Sequence, residues 1–320
     1  MQTVLQNLIF SLNAIIPIFL MMVLGWFVRK WNLLDDHSVG KLNQFTFRVL
    51  LPALLFMDLS TADFQSMWDT KFVLFCFIAT CLSIGIAVCF SLFHKEKTER
   101  GEIIQASYRS SAAILGIAFV NNIYGEATMA ALMIVGTVPL YNVFAVIALE
   151  VTAPRTEHNT NRKKLALQTL LEVVTNPIIL GIVAGILWSV LKIPQPVILS
   201  KSVSYLGNMA TPLSLIALGA SFHWRAAKEK FPVVVEISVL KLIAFCGVFL
   251  PAAIWLGFRN EELTAILVML GSATTGSCFV MAKNTHHEGA ITAFAIMVTT
   301  LLSALTLTAW LFLLRTLGYV

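Results

Sequence analysis

Between residues 8 and 314 the chain alternates apolar runs of membrane-spanning length with short polar connections, and this alternation limits the fold more than any other feature. Ten runs are expected, at roughly 8–28, 42–61, 72–93, 108–123, 127–149, 169–191, 202–222, 233–257, 263–282 and 290–314. A hydrocarbon core about 30 Å thick needs about 20 apolar residues per helix. Backbone groups in lipid must bond within their own segment, which selects helices for such runs. Charged residues make up 12% of the 320 positions, about half the fraction of a soluble domain. The sequence therefore predicts an all-α polytopic membrane protein. The opening MQTVLQNLIFSLNAII has no basic n-region and no cleavage site, so no signal peptide is expected. Cys76, Cys81, Cys89, Cys246 and Cys278 all fall inside apolar runs and form neither a disulfide nor a zinc framework.

Charge placement gives the orientation. Fourteen Lys and Arg residues lie in the odd-numbered connections, five in the even-numbered ones and the termini, and Arg48, Arg109 and Lys241 lie within runs. Positive loops stay inside, so the odd connections are expected in the cytoplasm and both termini outside the cytoplasmic membrane. Topology thus accounts for the net charge of +5, and no nucleic-acid partner is implied. The longest connection, within 151–168, is the expected cytoplasmic linker between a first unit at 1–150 and a second at 169–320.

The two units repeat each other. Pro17 and Pro177, Gly25 and Gly185, Pro52 and Pro212, and Gly116 and Gly276 are all 160 positions apart. Gly116-Ile-Ala-Phe-Val120 aligns with Gly276-Ser-Cys-Phe-Val280 at the same offset. Each unit holds five runs, and an odd number makes the second copy enter the membrane from the opposite side. The expected architecture is ten transmembrane helices arranged as two inverted five-helix repeats.

The fourth member of each repeat is interrupted. Only eleven residues separate Arg109 from Asn121, with Gly116 between them. At about 1.5 Å per residue this covers about half of the hydrocarbon core. The ninth run has a small, polar centre, Gly271-Ser-Ala-Thr-Thr-Gly-Ser277. Irregular backbone is tolerated at membrane depth only where it lines a cavity or packs on protein. Broken segments in corresponding positions mark transporter binding sites, so helices 4 and 9 are expected to break and cross there.

Five stretches carry a family resemblance: LPALLFMDLS (51–60), LGIAFVNNIYG (115–125), VPLYNVFAVIALE (138–150), TNPIILGIVAGI (175–186) and MATPLSLIALGASF (209–222). With these the chain resembles the bacterial branch of the auxin efflux carrier family. The resemblance implies discontinuous fourth and ninth helices, a crossover domain that moves against a scaffold, and a homodimer. It also implies an organic-anion cargo: auxin in plants, malonate, malate or lactate in bacteria. Many relatives have Arg-x-Asn and a proline in the fourth helix. Here Arg109-Ser-Ser111 stands at the first position, and no proline occurs between 107 and 138, leaving Gly116 as the breaking residue.

The candidate substrate-binding residues are Asn121, Asn122, Arg109, Gly116, Ser272, Thr274, Thr275, Gly276, Ser277 and Asn142. Amides bind a carboxylate or a cation without a permanent charge, and a guanidinium fork matches a carboxylate. Arg109 has a second reading, snorkelling from a cytoplasmic helix end to lipid phosphates. The same second reading is favoured for Arg48 and Lys241, and Asp58 reads as a loop-edge carboxylate that could instead couple a proton. His286-His287-Glu288 does not make a metal site, because adjacent positions point different ways. No P-loop, HExxH or GxSxG motif occurs, so neither an enzyme nor a cofactor is expected. The function expected is a secondary active transporter of a small organic anion working by alternating access, coupled to Na⁺, to H⁺ or to neither. The rival readings are an anion channel and a membrane-bound ligand sensor.

Overall fold

The computed structural model describes residues 2–61, 69–112, 117–125, 127–154, 171–222 and 228–320, and only the backbone for 2–15, 117, 118 and 122. The linker beyond 154 and Gly116 therefore lie outside the described residues. Among the described residues the elements are all helical: α1 (Gln2–Lys30), α2 (Asp36–Ser60), α3 (Thr70–Leu92), α4 (Arg100–Tyr108), α5 (Ile117–Tyr124) and α6 (Thr128–Thr152) in the first half. The second half holds α7 (Pro177–Val190), α8 (Val197–Ala220), α9 (Phe231–Trp255), α10 (Asn260–Gly271), α11 (Ser277–Asn284) and α12 (Ala290–Thr316). Six of them, α2, α3, α6, α8, α9 and α12, are long and apolar enough to cross a bilayer.

Local chemistry sets several boundaries. The Asp35 and Asp69 carboxylates accept from the N–H groups of Ser38 (2.8 Å) and Phe72 (3.0 Å), capping α2 and α3. The start of α12 is capped from elsewhere in the chain: Glu102 of α4 accepts from the N–H of Gly289 (2.8 Å) and from the N–H and hydroxyl of Thr292 (3.0 and 2.7 Å). A carboxylate is well placed at a helix N-terminus, and these bonds tie α4 to α12. Two long helices carry a wide π turn, Thr46–Leu50 in α2 and Leu240–Ala244 in α9. The first lies just before Pro52, which has no N–H to give the preceding turn.

Helix ends gather into two sets of contacts. At one end, rich in Lys and Arg, Lys230 pairs with Glu99, His287 meets Thr152 (3.1 Å), and the Asn284 amide donates to the Asn43 carbonyl (3.2 Å). At the other, Gln195 donates to Ser60 (2.7 Å), Lys71 to the Leu256 carbonyl (2.6 Å), and the Met129 N–H to Glu261 (2.8 Å).

The helices form two groups. In the first, α1 packs on α8 and α2 on α7 through glycines that admit backbone-to-backbone contact. A Cβ at Gly25 would stand 2.2 Å from the Ile216 oxygen, and one at Gly219 only 1.9 Å from the Met22 oxygen. A Cβ at Gly185 would stand 3.0 Å from the Phe56 oxygen. Gly185 lies 160 positions from Gly25, and Ile216 lies 160 from Phe56, so these two contacts share the sequence offset. In the second group, α3–α6 and α9–α12, the central pieces are α4, buried from Gly101 to Tyr108, and α10, buried from Leu263 to Gly271.

Two sequence expectations need correction. The fourth run is expected to begin at 108, with Arg109 at its cytoplasmic end; instead α4 starts at Arg100, and Arg109 stands at the interruption itself. The segment RGEIIQASY reads as loop because of Glu102, Gln105 and Ser107, but protein rather than lipid surrounds it and each of these side chains has a partner. The sixth run, expected to be continuous over 169–191, breaks at Thr175–Asn176. There the Asn176 side chain accepts from the Ile178 N–H (3.0 Å) and Pro177 takes the first helical position.

Candidate functional site

The site grows from the two interruptions. After Tyr108 the backbone turns extended, with Arg109 at φ −71° and ψ 125°. After Gly271 it does the same, with Ser272 at φ −78° and ψ 162°. The two interruptions are bonded to each other: the Ser111 N–H donates to the Ala273 carbonyl (2.9 Å), the Thr274 hydroxyl to the Ala106 carbonyl (2.9 Å), and the Gln105 side-chain amide to the Cys278 carbonyl (3.0 Å). The Thr274 N–H donates in turn to the Thr299 hydroxyl of α12 (3.0 Å). The irregular backbone at the two interruptions is thus bonded within the protein.

Two cations sit at this junction. Arg109 is 2% exposed, and its two terminal nitrogens donate to Gln105 Oε1 (3.3 Å), Met281 Sδ (2.8 Å), Asn142 Oδ1 (2.8 Å) and Ser277 Oγ (2.9 Å). Lys241 is fully buried and donates to the Arg109 carbonyl (2.7 Å) and to Ser110 Oγ (2.9 Å). The snorkelling expected for Lys241 is therefore overturned. It stands ten residues into α9, within the π turn, and serves a carbonyl that the end of α4 leaves unbonded. Arg48 is exposed. Among the described residues no carboxylate oxygen lies within 4.0 Å of either buried cation.

A cavity of about 240 Å³ opens beside Arg109, between the two helix groups. The first group lines it with Leu51, Leu54, Leu55 and Asp58 of α2 and Asn208, Thr211 and Ser214 of α8. The second lines it with Arg109, Ser110 and Ser111, with Val138, Tyr141 and Asn142 of α6, and with Thr275 and Ser277. Tyr141 is fixed by donating to the Met269 carbonyl (3.1 Å), and Asn142 by donating to the Val138 carbonyl (2.9 Å). Three leucines, a set of fixed amide and hydroxyl groups and a guanidinium suit a small anion, and Asp58 is the acidic group on the same wall. A second cavity of about 320 Å³ lies between the same groups at the basic end, beside Asn43, Phe222, Phe279 and Lys283.

Of the expected site residues, Arg109, Asn142, Thr275 and Ser277 come together here. Thr274 is turned into the weld between the interruptions, and Ser272 is wholly buried with its hydroxyl unpartnered. Gly276 precedes α11 against Leu215, where a Cβ would stand 3.2 Å from Leu215 Cδ2. Asn121 is exposed and lines neither cavity, while the Asn122 side chain and Gly116 fall outside the described residues. Sequence reasoning passes over Ser110, Ser111, Tyr141, Asn208 and Thr211. Asn208 and Thr211 carry a usable signal: polar residues three apart on one helical face, next to Pro212.

The family model for membrane transport proteins matches residues 10–311. The chain belongs to this family, the auxin efflux carriers. It is a multi-pass membrane protein of a transporter family. It is similar to a Rhizobium meliloti protein named "Putative malonate transporter", with 24% identity over 319 residues and 95% of each chain covered. It is also similar to an uncharacterized transporter of Methanothermobacter thermautotrophicus (20% identity, 94% of this chain and 97% of the relative). The uncharacterized transporter YfdV of Escherichia coli shares 20% identity, with 91% of this chain and 94% of the relative covered.

Proposed function

We propose that the chain is a secondary transporter that carries a small organic anion across the cytoplasmic membrane by alternating access. The single observation that carries this reading is Arg109: a buried guanidinium on the wall of a cavity, held by neutral acceptors, with no carboxylate within 4.0 Å among the described residues. A buried cation without a counter-ion is unfavourable, and an incoming carboxylate would supply one. Asn142, Thr275, Ser277, Ser110 and Ser111 then orient the anion through amide and hydroxyl groups.

The membrane arrangement we propose is ten crossings in two inverted repeats, α1–α6 and α7–α12, with both termini outside. Support comes from the two sets of helix-end contacts and from the paired contacts Gly25–Ile216 and Gly185–Phe56. In this reading α1, α2, α7 and α8 form the scaffold, and the group that holds both interruptions moves past it. The cavity lies on the boundary between them, so such a movement would expose it to each side in turn. A homodimer, as the family resemblance implies, is part of the proposal.

The cargo class is a small carboxylate, for which malonate is the first probe because of the Rhizobium meliloti relative's name. The test is counterflow in proteoliposomes. Vesicles loaded with malonate, malate, lactate or indole-3-acetate are diluted into the labelled form of the same anion. Saturable accumulation of at least one supports the reading, whereas flux that rises linearly with concentration and shows no counterflow indicates a channel.

A further inference from the structure

The cavity holds one acidic side chain, Asp58, and the mechanism above gives it no task. It is half-buried in α2, one helical turn beyond Leu54 and Leu55, with which it shares the cavity wall. Among the described residues its carboxylate makes no ion pair. The titratable groups that face it can be named element by element. The first interruption brings Arg109, α6 brings Tyr141, and Lys241 of α9 stands behind Ser110. From α8, Lys201 and Tyr205 are exposed, and α7 has no titratable side chain between Pro177 and Val190. The other charges of α2, including Arg48, are exposed.

We propose that Asp58 carries a proton that travels with the anion, which makes this protein an anion–proton symporter. The inference rests on the organic-anion reading of the same cavity. Two carboxylates in a space of about 240 Å³ disfavour each other's ionised form. An anion that pairs with Arg109 therefore binds best when Asp58 has taken a proton from water on the loading side. The protonated acid is neutral, and the hydroxyl it gains can donate to the bound anion. After release of the anion on the far side, the Arg109 charge favours the ionised carboxylate again and the proton leaves to that side. The charge balance is one proton and one anion per cycle, so a monoanion moves without net charge and a dianion with a single negative charge. By linkage, binding that takes up one proton weakens about tenfold per pH unit above the ionisation of Asp58.

The experiment is malonate transport into proteoliposomes carrying a pH-sensitive dye, over a range in which malonate stays fully ionised. For the wild type, uptake is expected to bring protons with it and to accelerate when the malonate-containing side is made more acidic. Asp58→Asn, whose amide stands in for the protonated acid, is expected to lose both the proton signal and the response to the pH gradient, read as the ratio of each to the malonate counterflow of the same variant. Asp58→Glu is expected to retain both. Malonate uptake by the wild type without proton movement overturns the inference even if no variant folds, and so does an Asn variant that still follows the gradient. A wild type that shows no counterflow with malonate, malate, lactate or indole-3-acetate overturns the anion reading itself, and this inference with it.

Discussion

Replacing Gly219 by Ala tests the packing on which one wall of the cavity depends. The added Cβ would lie 1.9 Å from the Met22 oxygen and 2.8 Å from the Met22 carbonyl carbon. Cβ atoms essentially never come within 3.0 Å of such a neighbour, so α1 and α8 must part by about 1 Å. The obstacle is backbone and cannot swing aside, which puts the substitution in the upper part of the ~1–3 kcal/mol range for overpacking. Alanine recovers roughly 0.5–1 kcal/mol over glycine in a helix. The expected net loss is about 1–2 kcal/mol. Gly85→Ala is the matched control: Gly85 also sits inside a long helix, α3, but its Cβ would meet nothing within 4 Å. That variant should keep the helix gain of roughly 0.5–1 kcal/mol. Thermal unfolding of both purified variants in one detergent is the assay. Gly219→Ala should melt well below the wild type and Gly85→Ala at or above it. Equal melting of the two variants would refute the close approach of α1 and α8.

Three further outcomes are expected. Arg109→Lys keeps the charge, but one ammonium cannot serve the acceptors that two guanidinium nitrogens hold at Gln105, Met281, Asn142 and Ser277. With charged hydrogen bonds worth ~1.5–3 kcal/mol, malonate affinity measured by calorimetry should fall roughly tenfold to a hundredfold. Glu102→Gln leaves one acceptor oxygen where two serve Gly289 and Thr292, and should lower stability by about 1.5–3 kcal/mol in denaturation experiments. His287, in the connection between α11 and α12, has its pKa lowered by burial, with His286 adding to the effect and its bond to Thr285 opposing it. A histidine with a lowered folded pKa contributes stability that is complete above its unfolded value, about 6.5, and is lost as the pH falls through the folded one. Acidification below that range should therefore reduce thermal stability more in the wild type than in His287→Gln.

The apolar runs make the helical class legible, because membrane-length segments leave the backbone few alternatives. The interruptions are legible too, since Gly271–Ser277 and the polar residues around Arg109 cannot continue a lipid-facing helix. The helix that precedes the first interruption is not. Glu102, Gln105 and Ser107 look like a loop, and only the partners supplied by Gly289, Thr292 and Cys278, far away in sequence, make α4 a buried helix. Lys241 misleads for a similar reason: its distance from a loop allows snorkelling, whereas the π turn and the free Arg109 carbonyl draw it inward. Arg109 and Asn142 stand out separately, but nothing local in the sequence announces that they bond each other at 2.8 Å. Asn121, favoured for its amide, is exposed, because an amide's suitability for anions says nothing about which way its helix faces.

The most direct measurement is an experimental structure determined with saturating malonate. The account requires the anion between α2, α8 and the two interruptions, within hydrogen-bonding distance of Arg109 and of Asn142 or Ser277. Density for malonate only in the basic-end cavity beside Asn43 and Lys283, with Arg109 still bound to its four protein acceptors alone, would contradict it.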